Sequence, residues 1–114
     1  MRLIKEKIKI EELEQMAKKM FGDLVKAVVD IRKEMMVVDG ELHADEETLL
    51  IEMGSDQRDL WGINLYPELK GHEDFIEFDS MINLRPSQGN RSRGIDDLSI
   101  QKKIREIVNQ WVIQ

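Results

Sequence analysis

The sequence predicts an α+β fold: a mostly antiparallel sheet of about five to six strands, with two helices packed on it, one near each terminus. Three observations lead there. Apolar residues alternate with polar ones, or run as short valine-rich blocks, through most of the chain. Helical periodicity shows plainly only near the two ends. The chain has 114 residues, which fits one domain, because halves of it would be too small to bury a self-sufficient core.

Taken in order, Arg2 to Lys9 alternates apolar and charged residues and reads as a strand with one wet face. From Ile10 the period lengthens: Ile10, Leu13, Ala17, Met20 and Phe21 share a helical face, glutamates crowd the start and lysines the end, and Gly22 stops the helix. Lys9 is a poor N-cap for it. Leu24–Asp30 is a valine-rich strand, Ile31–Glu34 a turn, and Met35–Val38 a returning strand closed by Asp39-Gly40. Thr48–Met53 is a short apolar run read as one arm of a hairpin, with a helix over Asp45–Met53 as the alternative. Leu60–Tyr66 is its strand partner. Pro67–Asp74 is a loop, and alternation from Phe75 to Leu84 makes the last strand. Asp96 or Asp97 then caps a closing helix whose stripe is Leu98, Ile100, Ile104, Ile107, Val108 and Trp111. That helix is expected to dock on its own sheet.

Charge narrows the function. The net charge is −6, but it is uneven: +2 over residues 1–38, −11 over 39–79 and +4 over 80–105. An acidic middle and a basic loop can face each other or bind different things. Aromatic residues make up only 5% of an acidic chain, so nucleic-acid binding is not expected, and Trp61 and Tyr66 read as core and sheet residues. The chain has no cysteine, so thiol chemistry is absent. Its N-terminus is too charged for a signal peptide or a membrane span. A cytoplasmic location follows as the expectation.

Two clusters carry possible chemistry. The loop holding Arg85, Gln88, Asn90, Arg91 and Arg93 gathers donor side chains around Gly89. Guanidinium forks and exposed backbone N–H groups suit a carboxylate or phosphate. The competing reading makes these arginines clamps that pair with the acidic middle. His43, Asp45 and Glu47 share a face if extended and would then hold a divalent metal, with Asp39, Glu41 or Asp79 completing the set. On a helix, Asp45 points away and only two ligands remain. The plainer reading has Asp45 capping a turn or helix, Glu46 and Glu47 facing solvent and His43 bonded to the backbone. Ser80, Ser87 and Ser92 lack the context of an activated nucleophile.

In combination, His43-Ala44-Asp45, Leu60-Trp61-Gly62 within LWGINLYP, and INLRPSQGNRSR resemble a small family of uncharacterised bacterial and archaeal proteins known only by a domain-of-unknown-function label. The resemblance spans nearly the whole chain and implies a stand-alone domain of this length. It implies no activity. The first expectation is therefore a binding domain for a small anionic ligand or an acidic protein partner through the Arg85–Arg93 loop. A divalent-metal hydrolase of phosphate esters, built on His43, Asp45 and Glu47 with the arginines stabilising phosphoryl charge, is the second. A structural oligomerisation module is the third.

Overall fold

The computed structural model describes residues 1–114. Its centre is a five-stranded antiparallel sheet in the order β1 (Arg2–Ile4), β4 (Met35–Val38), β3 (Val25–Asp30), β5 (Leu60–Leu65), β6 (Ile76–Glu77). The N-terminal stretch expected to be one strand is broken in two. Its second part, β2 (Ile8–Lys9), leaves the sheet and pairs in parallel with β7 (Val112–Ile113) beside the end of the chain.

Three helices flank the sheet. On one face lie α1 (Ile10–Lys19) and α3 (Leu98–Trp111), as their apolar stripes require: Leu13, Ala17, Ile104, Ile107 and Val108 are buried against Val25, Ala27, Val29, Trp61, Ile63 and Leu65. Glu12 Oε2 accepts a hydrogen bond of 2.9 Å from the Lys9 N–H, which compensates for the poor cap at the start of α1. Asp97, not Asp96, caps α3 by accepting from the Ser99 N–H at 2.8 Å. Trp111 donates its indole N–H to the Glu34 carbonyl, so the closing helix does dock on its own sheet.

The expected hairpin arm is instead a third helix, α2 (His43–Glu52), lying on the opposite face. There Leu50 packs with Val28, Met35, Val37 and Leu60 in a second, smaller core. Strand alternation explains this division, because Val25, Ala27 and Val29 point to one side of β3 while Lys26, Val28 and Asp30 point to the other. Both faces of the sheet are therefore covered. The last expected strand also shortens: only Ile76 and Glu77 pair, and Met81–Asn83 forms a 3-10 turn. No helix is long and apolar enough to cross a membrane.

The turn after β3 is organised by Asp30, which is fully buried. Its Oδ1 accepts from the N–H groups of Arg32 and Lys33, and its Oδ2 accepts from the Ser55 hydroxyl at 2.6 Å. One buried carboxylate thereby shapes the turn and fastens the segment leaving α2 to the sheet.

Candidate functional site

The segment from Asp79 to Asp97 folds back over the outer edge of β5, where β6 pairs only with Asn64 and Leu65. Further along that edge, side chains replace the missing strand. Asn83 Oδ1 accepts from the Gly62 N–H at 2.8 Å, and Asn83 Nδ2 donates to the Gly62 carbonyl at 2.9 Å, so one amide satisfies both backbone groups of one residue. Two residues away, the Arg85 guanidinium donates to the Leu60 carbonyl.

This arrangement needs a glycine at position 62. A Cβ there would lie 2.6 Å from both Cβ and Oγ of Ser80 and 3.1 Å from Ile82 Cγ1. Gly62→Ala is expected to lift the loop off the strand and to lower stability by about 1–3 kcal/mol, the usual range for overpacking. Urea unfolding checks this, and an unchanged midpoint would mean that the loop tolerates displacement.

Of the five side chains expected to bind an anion, two are internal clamps. Arg85 is 8% exposed. Its Nε donates to the Ile82 carbonyl at 3.0 Å, Nη1 to the Gln57 carbonyl at 2.9 Å and Nη2 to Glu47 Oε2 at 3.3 Å. It also lies 4.8 Å from the Trp61 ring centroid. Every face of the guanidinium is occupied, and burial lowers its pKa from the ordinary arginine value against the opposing pull of Glu47. Asn90 is 4% exposed and acts as the hub of the loop. Its Nδ2 donates to the carbonyls of Asn83, Ser92 and Gly94, and its Oδ1 accepts from the Asp96 N–H.

The other three face outward. Gln88 donates weakly to the Arg58 carbonyl at 3.4 Å, and Arg91 is exposed with no ion pair. Arg93 donates from Nε to Asp79 Oδ1 at 2.7 Å with both side chains about half exposed. Arg85 and Arg93 thus each meet a carboxylate of the acidic middle, as the clamp reading anticipates.

The trio of His43, Asp45 and Glu47 does not converge. Because the segment is helical, Asp45 points to solvent, Glu47 is held by Arg85, and His43 turns inward. No three His, Asp or Glu side chains anywhere in the chain are grouped to hold a metal ion. Helical geometry sets Asp45 apart from the other two.

His43 nevertheless sits at the centre of the most basic concavity on the surface. Its Nε2 lies 2.8 Å from the Ile63 carbonyl, and because a carbonyl only accepts, the proton resides on Nε2 and Nδ1 keeps its lone pair. Burial is the main cause lowering the His43 pKa from 6.5. Lys26 and Arg93 push in the same direction, against the Ile63 hydrogen bond and Asp79. The imidazole is therefore neutral at pH 7.

The concavity has a volume of about 200 Å³. Its polar lining is Lys26, His43, Ser80 and Arg93, and its apolar lining is Leu42, Ala44, Met81 and Ile82. The start of α2 contributes to it, and the first turn of that helix receives no side-chain cap because its N-cap residue is Leu42. Unpaired N–H groups and the positive end of the helix dipole favour an anion at such a position. Sequence reasoning reached His43 and Arg93 but missed Lys26 and Ser80. Lys26 left one trace, as the only cation in the valine-rich strand. Ser80 left none, since its place depends on Gly62 across the fold.

A family model described as a protein of unknown function (DUF5674) matches residues 2–111, and the chain belongs to that family. No curated protein and no solved structure matches it.

Proposed function

We propose that this member of the DUF5674 family is a binding domain for a small anion, and that its site is the concavity between the start of α2 and the loop from Asp79 to Arg93. The observation that carries the reading is Lys26. It projects from the middle of the sheet into the concavity, and no carboxylate lies within ion-pair distance of its ammonium. Arg93, Ser80 and the uncapped N–H groups of α2 add donors around it. The loop expected to bind by itself supplies one wall, and its inward members Arg85 and Asn90 hold that wall in place.

The metal-assisted hydrolase has no ligand set to stand on, since Glu47 is held by Arg85 and Asp45 points away. An oligomerisation module calls for a large apolar patch on the closing helix or an uncovered sheet face; apolar clusters packed on both faces of the sheet favour the binding reading over it.

An NMR titration with acetate and with inorganic phosphate tests the reading. The backbone amides of His43, Ala44, Ser80 and Arg93 are expected to shift together. Lys26→Met is expected to weaken binding about tenfold, the equivalent of one charge-assisted hydrogen bond. Shifts confined to Arg91 and Gln88, or equal affinity in Lys26→Met, would place the site elsewhere.

A further inference from the structure

Resting on that reading, we infer that the ligand is a monocarboxylate carrying a short apolar chain: the carboxylate sits between Lys26 and Ser80, and the chain lies along Leu42 and Met81. Charge, hydrogen-bonding capacity and the apolar wall point the same way.

The charge around the concavity sums to one. Arg93 is neutralised by Asp79 at 2.7 Å, and the His43 ring, with its proton committed to the Ile63 carbonyl, adds no charge at neutral pH. Lys26 alone makes no ion pair, and its ammonium lies 4.9 Å from the centroid of the Phe21 ring. One net positive charge in a partly desolvated site matches a monoanion. A phosphate dianion would be left with excess charge.

The donors match as well. Ser80 is 2% exposed, and its Oγ accepts from the Ile82 N–H at 3.2 Å, but its own O–H has no acceptor in the chain. A hydroxyl in that state is a donor awaiting an oxygen. Lys26 and Ser80 together offer what the two oxygens of a carboxylate accept.

The apolar part of the lining has no such use for an inorganic ion. Leu42 and Met81 are 53% and 62% exposed, yet they line the same concavity as Ala44 and Ile82. An apolar chain extending from the carboxylate would cover both. A concavity of about 200 Å³ has room for a short chain beside the carboxylate.

The test is a calorimetric series on the intact chain with acetate, butyrate, hexanoate, octanoate and inorganic phosphate. Affinity is expected to rise about two- to threefold per methylene from acetate to hexanoate, and to flatten beyond, as expected for partial burial of each group. The double variant Leu42→Ala, Met81→Ala should lose the dependence on chain length. Both side chains are surface residues, and a circular dichroism spectrum confirms that the variant is folded. Serine is avoided at position 42 because its hydroxyl would cap α2 and compete with the anion. Equal affinity for acetate and hexanoate, tighter binding of phosphate than of hexanoate, or a chain-length dependence that survives in the variant would overturn the inference while leaving the anion site standing. No binding of any of the five would overturn both.

Discussion

Arg85→Ala is expected to lower the free energy of unfolding by about 3–5 kcal/mol, the range seen when one partner of a buried charge pair is removed. The substitution leaves Glu47, 13% exposed, as an uncompensated carboxylate, and strips donors from the carbonyls of Ile82, Gln57 and Leu60. Arg85→Lys should recover little, because an ammonium cannot reach four acceptors spread around a planar fork. Arg91→Ala is the control: its side chain makes no ion pair, so the urea midpoint should stay where it is. Matching midpoints for Arg85→Ala and Arg91→Ala would show that the buried guanidinium is not a clamp.

The second large effect concerns Glu46, which was expected to face solvent but is fully buried, because the helix turns positions 43, 46 and 50 inward. Its Oε2 accepts from the Gly40 N–H at 2.9 Å, while Oε1 has no partner. The packing is close enough that a Cβ on Gly40 would lie 2.5 Å from Glu46 Cγ. Burial, opposed mainly by the Gly40 hydrogen bond, pushes the carboxyl from 4.5 up to about 9. Between those values the folded state keeps a proton that the unfolded chain releases, so stability falls as pH rises. The contribution is complete below about pH 4.5 and is lost as pH climbs toward about 9. The slope approaches about 1.4 kcal/mol per pH unit. Glu46→Gln keeps the group neutral and should flatten this slope in urea unfolding compared across about pH 6 to 9. If the parent and the variant show the same slope, Glu46 does not carry a proton in the folded state.

The same residue shows why α2 was hidden in the sequence. Its inward positions are His43, Glu46 and Leu50, an i, i+3, i+7 stripe in which two of three members are ionisable. A search for apolar periodicity passes over such a helix and sees only the run from Thr48 to Met53. The end helices were legible because leucine, isoleucine and valine fill their stripes. The strand expected through Leu84 failed for a different reason: alternation continues in the residues, but the Asn83 side chain takes over the backbone bonds that a ladder would have made. For the site, residue type identified His43 and Arg93 as polar groups worth following. It could not separate Arg85, turned inward with four hydrogen bonds, from Arg93, turned outward, because that depends on which way a loop folds over a distant strand.

Strands that lie open at the side of a sheet invite another molecule to add its own backbone there, a route to aggregation. Along β5 that route is closed without a strand. Arg85 occupies Leu60, the Asn83 amide occupies Gly62, and Glu77 pairs across from Asn64, so three successive docking positions are filled. The loop that lines the concavity with Ser80 and Arg93 is thus also a guard along β5, and a change that frees it exposes the protein to self-association.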